Sequence, residues 1–85
     1  MSKSLFSEAN ERLVEAIVSA RHSSGLRQSD LAFKLQKNQS YISNIERGQR
    51  RIDVLEFYAL AKAMNIDPVA LFSKATERFP EAFDI

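Results

Sequence analysis

Cysteine and tryptophan are absent from this chain, and its 85 residues hold only two glycines, two prolines and one histidine. Without cysteine there is no disulfide and no thiolate metal site. A single histidine excludes a multi-histidine metal site within one chain. Two glycines cannot form a phosphate-cradling loop of the usual kind. No apolar run is long enough to span a bilayer, and no signal-peptide pattern opens the chain. No acid, base and nucleophile converge in the sequence, so neither an enzyme nor a cofactor-binding protein is expected. The scarcity of helix breakers and the 45% of apolar residues favour a folded helical domain.

The net charge is only +1, but it is unevenly spread. Residues 27–51 hold Arg27, Lys34, Lys37, Arg47, Arg50 and Arg51 against Asp30 and Glu46, a net of +4; the remainder sums to −3. One face should therefore be basic and the rest mildly acidic, a pattern that suits an anionic partner better than the total charge implies.

Helical spacing and punctuation divide the chain into five helices, with nothing alternating as a strand. The expectation is one all-α domain over residues 1–85, with a core from about 7 to 78 and a tail from 79 to 85. Residues 1–4 should be frayed. The first helix runs from near Ser7 to about Ser23, carries Ala9, Leu13, Ala16, Ile17 and Ala20 at core spacing, and stops at Gly25. The second covers about 28–35 and the third about 39–46, ending at Gly48. Asp53 with Glu56 three residues on forms a capping box for the fourth, in which Leu55, Tyr58, Ala59 and Met64 are expected to face inward. Asn65 can take a left-handed conformation at that helix end. Asp67-Pro68 opens the fifth as cap plus first-turn proline, and Pro80 limits it to about residue 78.

The second and third helices carry the functional signal. Leu31, Leu35, Ile42 and Ile45 turn inward, and Ala32 is small where the helices cross. The third helix shows Gln39, Ser40, Ser43, Asn44 and Arg47 outward. Amides and hydroxyls on one side of a short helix suit base edges, since Asn and Gln pair bidentately with adenine and Ser bonds to more than one base. This is a helix-turn-helix arrangement, whose second helix enters the major groove.

The segment resembles the phage-repressor-like (Xre, or Cro-type) helix-turn-helix family. The residues that carry the likeness are Arg21, Gly25-Leu26, Gln28-x-x-Leu31-Ala32 and Gln39-Ser40-Tyr41-Ile42-Ser43-x-Ile45-Glu46-Arg47-Gly48. Downstream follow Ile52, Leu60-Ala61-x-Ala63 and Asp67-Pro68-x-x-Leu71-Phe72. The resemblance implies a compact five-helix, lambda-repressor-like domain binding double-stranded DNA, with Gln39, Ser40, Ser43 and Asn44 at base edges. Arg27, Gln28, Lys37, Asn38, Tyr41, Arg47, Arg50 and Arg51 are expected along the DNA backbone, Gln28 by its likeness to a family glutamine that meets a phosphate. Arg21 and Glu46 resemble a structural pair bridging the first and third helices. Two positions depart from the family pattern: Arg27 replaces the usual capping Thr or Ser, and Gln36 replaces a turn glycine.

The function expected is a sequence-specific transcriptional regulator, a repressor acting as a homodimer on a pseudo-palindromic operator in the bacterial cytoplasm, at the nucleoid. With no room left for a sensing domain, regulation is expected from concentration, autoregulation or a protein partner. Alternatives on the same fold are an antitoxin with a toxin partner and a restriction–modification controller; a different class is a protein-interaction module without DNA binding. Ile66, Val69, Phe72, Phe79 and Phe83 are the expected dimer surface, Phe79 and Phe83 sharing a face if the tail is helical beyond Pro80.

Overall fold

The computed structural model of the chain describes residues 7–83; the expectation for residues 1–4 and the end of the expected tail, residues 84–85, lie outside them. Five helices follow in order: α1 (Glu8–Ser23), α2 (Gln28–Lys34), α3 (Gln39–Glu46), α4 (Val54–Ala63) and α5 (Pro68–Thr76). There is no strand among the described residues. No described helix is long and apolar enough to cross a membrane.

Four of the five helices start on a local signal. The Ser7 hydroxyl accepts from the Asn10 N–H at 3.2 Å. Asp53 accepts from the Glu56 N–H at 2.7 Å and Glu56 returns the bond from the Asp53 N–H at 3.0 Å, closing the capping box. Asp67 accepts from the Ala70 N–H at 3.3 Å ahead of Pro68. At α2, Arg27 has no side-chain acceptor to offer, and only the return half of a box forms. The Asp30 carboxylate takes the Arg27 backbone N–H at 2.9 Å and its guanidinium at 3.0 and 3.1 Å.

Four of the five helix ends share one device. At Gly25, Gln36, Gly48 and Asn65 the chain turns left-handed, with φ of 74°, 59°, 74° and 61°. In each case the next N–H reaches back to the carbonyl five residues earlier: Leu26 to Arg21, Lys37 to Ala32, Gln49 to Asn44, Ile66 to Ala61. These are Schellman ends, which satisfy carbonyls the helix leaves open. Gln36 thus keeps the geometry of the expected glycine turn despite its Cβ, and α2 and α3 stay closely packed.

Ile17, Leu31, Ile42, Ile45 and Leu60 are fully buried, with Ala32 and Ala61 where helices approach. Each large side chain buried in this way contributes about 1.5–3 kcal/mol. α1 packs on α3 and α5, α2 on α3 and α4, and α4 on α5.

One expectation is corrected, and one condition set for the tail is not met. On α4, Met64 is buried and Ala59 half-buried, but Leu55 and Tyr58 point outward, 79% and 55% exposed. The inward stripe is Phe57, Leu60, Ala61 and Met64, a spacing of i, i+3, i+4, i+7 that Leu55 and Tyr58 do not share. Secondly, residues 79–83 are not helical. Pro80 has no N–H to continue a helix. The rings nevertheless meet in an edge-to-face row running Phe57, Phe72, Phe79, Phe83, with centroids 5.7, 6.3 and 5.6 Å apart, which lays the tail along α5 of its own subunit.

Candidate nucleic-acid interface

α3 is fixed from beneath by a buried ion pair. Arg21 of α1 donates through Nε to Glu46 Oε2 at 2.6 Å and through Nη2 to Oε1 at 3.0 Å. Both side chains are under 10% exposed. Arg21 Nη1 also donates to the Leu26 carbonyl at 2.9 Å, so one guanidinium ties α1, the α1–α2 turn and the end of α3 together. The pair foreseen between Arg21 and Glu46 is present.

From Glu46 a chain of amides leads to the outer surface. Gln28 Nε2 donates to Glu46 Oε1 at 2.8 Å, and Gln39 Nε2 donates to Gln28 Oε1 at 3.2 Å. Gln39 is thereby oriented at the first turn of α3 from the first residue of α2. The bond from Gln39 is neutral and exposed, so exchanging it for another polar partner costs little.

Around it the helix presents a polar strip. Gln39 and Ser40 are exposed, Ser43 and Asn44 half-buried. Ser40 Oγ approaches Asn38 Oδ1 at 3.4 Å. Arg47 Nη2 donates to Asn44 Oδ1 at 2.7 Å, which leaves the Asn44 amide N–H groups directed elsewhere. Asn38 and Lys37 precede the helix, both exposed. The structure thus brings Gln28, Gln39 and the Arg21–Glu46 pair into one bonded chain.

The basic residues divide into two groups. Arg51, Lys37 and Arg47 are exposed. Arg27 and Arg50 are each paired to a carboxylate of their own chain, Arg27 to Asp30 at 3.0 Å and Arg50 to Glu56 at 2.7 Å. Tyr41 points its hydroxyl at Glu56 Oε2, at 3.0 Å, and not freely outward. Lys37 Nζ and the Arg50 guanidinium stand 5.2 and 4.9 Å from the centre of its ring, within cation–π range.

Sequence reading missed the part played here by Glu56. The Asp53-x-x-Glu56 spacing revealed it as a cap; nothing local to it reveals Tyr41 and Arg50. Their bonds hold the Glu56 carboxyl at about 2, against an ordinary 4.5, with the Arg50 bond the largest cause and the Asp53 N–H next. Asp30 lies at about 2 against 3.8, chiefly through Arg27. Partial burial, then the bond to Glu56, pushes the Tyr41 phenol up. Among the described residues no His, Cys, Asp or Glu cluster has metal-binding geometry.

Ile66 and Phe79 are half-buried and Val69, Phe72 and Phe83 exposed, at the α4–α5 turn, on α5 and in the tail. The Phe72, Phe79 and Phe83 rings stand in the row described above, and Ile66 packs against the core.

A helix-turn-helix family model, HTH_3, matches residues 17–71. The chain is similar to an XRE-family like protein from Pseudomonas syringae pv. tomato str. DC3000, at 35% identity over 85% of this chain and 88% of that one, with a TM-score of 0.77. It is similar also to the restriction–modification controller protein C.Esp1396I, solved as a tetramer in complex with its natural 35 base-pair operator; identity is 27% over 84% and 93% of the two chains, with a TM-score of 0.76. The clp gene regulator ClgR from C. glutamicum shares the fold, at 20% identity over 89% and 99% and a TM-score of 0.78. No curated protein matches the chain.

Proposed function

The chain belongs to the Xre-type helix-turn-helix family, and from that premise we propose that it is a sequence-specific repressor binding a pseudo-palindromic operator as a homodimer. The observation that carries the reading is α3. Its apolar side is buried through Ile42 and Ile45, its outer side carries uncharged amides and hydroxyls, and a buried ion pair fixes its end. Gln39, Ser40, Ser43 and Asn44 read base edges, Gln39 and Asn44 most strongly because an amide can pair bidentately. Gln28, at the first turn of α2, meets a phosphate with its backbone N–H. Arg27, Lys37, Asn38, Arg47 and Arg51 follow the backbone, joined by Tyr41 and Arg50 when Glu56 releases them.

The size of one copy supports a two-fold pair. One copy measures 35 × 25 × 20 Å and carries one reading helix. Successive turns of the major groove lie roughly 34–36 Å apart, so two copies related by a two-fold axis place two reading helices on one DNA face. Ile66, Val69, Phe72, Phe79 and Phe83 are the apolar residues we assign to that contact. A controller protein is the second reading, favoured by the likeness to C.Esp1396I on its operator; antitoxin activity needs a toxin partner. The regulator acts on the nucleoid, in the cytoplasm.

Selection of bound sequences from random duplexes tests the proposal. The expected product is a two-fold related motif with half-sites about one turn apart. Failure to enrich any motif, with bulk DNA also unbound at low salt, would leave only a protein-interaction module.

A further inference from the structure

We propose that Glu56 is a specificity-determining residue of the DNA-binding surface: its carboxylate holds Arg50 and Tyr41 and so suppresses binding to DNA of any sequence. The inference rests on the DNA-binding reading above.

Four donors converge on the two Glu56 oxygens. Oε1 accepts from Arg50 Nη1 and from the Asp53 N–H, both at 3.0 Å. Oε2 accepts from Arg50 Nη2 at 2.7 Å and from the Tyr41 hydroxyl at 3.0 Å. Arg50 Nη1 donates also to the Arg51 carbonyl at 2.9 Å. The guanidinium fork, though partly exposed, is taken by the Glu56 carboxylate, in the bidentate geometry a phosphate would otherwise take. A phosphate that engages this fork must displace a carboxylate, exchanging one ion pair for another. Arg51, exposed beside it, meets a phosphate without losing such a pair.

Glu56 also places a negative charge, from outside the basic segment, against the loop that carries Arg50 and Arg51. The capping box with Asp53 anchors it at the first turn of α4, so Glu56 stays while Arg50 moves. Release of Arg50 and Tyr41 then requires a driving contact elsewhere, and base contacts from Gln39 and Asn44 on a matching operator provide it. Specificity is a difference of affinities, and weakening the contacts common to all sequences widens it.

The test is Glu56→Gln, which keeps an amide oxygen for the Asp53 N–H, measured on bulk duplex DNA across a salt series. One more phosphate contact steepens the log–log salt slope by about 0.9, which is about eightfold in affinity at 0.1 M relative to 1 M salt. Glu56→Gln is expected to bind bulk DNA tighter by about that factor and to prefer the operator less. Arg50→Ala added to Glu56→Gln should abolish the steepening. In the wild-type background Arg50→Ala should flatten the slope by less than Arg51→Ala does. An unchanged or shallower slope in folded Glu56→Gln, or an Arg50→Ala effect equal to that of Arg51→Ala, overturns the proposal. Should Glu56→Gln fail to fold, the comparison of the two alanine variants decides alone. If wild type binds DNA and Arg51→Ala flattens its slope while Glu56→Gln changes nothing, only the role of Glu56 falls. If wild type binds no duplex at low salt, the DNA-binding reading falls and takes this inference with it.

Discussion

Glu46→Gln is nearly isosteric, so it perturbs charge and hydrogen bonding without opening a cavity. Three donors converge on the native carboxylate: Arg21 Nε at 2.6 Å, Arg21 Nη2 at 3.0 Å and Gln28 Nε2 at 2.8 Å. An amide offers one oxygen, and its NH₂ must face at least one of these donors. Arg21, itself 7% exposed, then keeps its charge without a counter-ion. Removing one partner of a buried pair costs about 3–5 kcal/mol. The surviving bond from Arg21 to the Leu26 carbonyl places the expected loss near the lower end, about 3 kcal/mol. At 0.05–0.15 kcal/mol per residue the whole domain is stable by roughly 4–13 kcal/mol, so the loss is a large fraction of the total. It corresponds to a Tm lowered by about 12–24 °C, from 4–8 °C per kcal/mol in a domain this small. Urea and thermal unfolding followed by circular dichroism near neutral pH would measure it. Replacing both residues by Met should recover most of the loss, because no charge is then left buried. A loss in Glu46→Gln below about 1 kcal/mol would mean that the pair behaves as an exposed one, and the argument from burial would be refuted.

The remaining predictions concern reading, acid stability and assembly. Gln39→Ala and Asn44→Ala should each relax discrimination at one or two base pairs per half-site, by about 1–3 kcal/mol in a binding-site selection; preferences kept at every operator position would show that α3 is not the reader. Glu56 and Asp30 both lie at about 2, below their ordinary 4.5 and 3.8, so on acidification the unfolded chain takes up protons before the folded one. Their contribution is full above about pH 5 and drains away between there and about pH 2; the urea midpoint should hold from neutrality to about pH 5 and then drop, less steeply in Glu56→Gln, and an equal drop in both proteins would contradict this. Truncation after Arg78 removes Phe79 and Phe83 and should leave a folded domain, by circular dichroism, that associates and binds DNA more weakly. Equal sedimentation of the full and shortened chains would spare the dimer and remove the tail from its interface, whereas a full-length protein monomeric at high concentration would overturn the dimer.

Much of this protein is legible one residue type at a time. Ser7, Asp53 and Asp67-Pro68 mark helix starts because a short oxygen-bearing side chain, or a missing N–H, answers the open donors of a first turn within three residues. Gly25, Gly48 and Asn65 mark ends because they tolerate the left-handed conformation that the closing turn needs. The burial of Ile42 and Ile45 with Gln39 and Ser40 outside follows from spacing along α3 alone, and that spacing already carries the nucleic-acid reading. The Arg21–Glu46 pair was legible only through family resemblance, since its two halves stand 25 residues apart.

Only the tertiary structure decided the rest. α4, VLEFYALAKA, is apolar on most of its circumference, so periodicity alone does not choose between the Leu55–Tyr58 arc and the Phe57–Leu60–Ala61 arc; packing against α2 and α5 chooses the second. Pro80 predicts where a helix must stop, but the path after it is set by rings that meet across 26 residues, from Phe57 to Phe83. Tyr41 and Arg50 look like free phosphate ligands in the sequence. They meet Glu56 from 15 and 6 residues away because α3, its following loop and the start of α4 converge. Caps, stops and periodic faces are written within a few residues because the forces behind them act over one or two turns. Ion pairs and aromatic contacts between elements depend on where whole helices come to rest, which is decided by the burial of the common core.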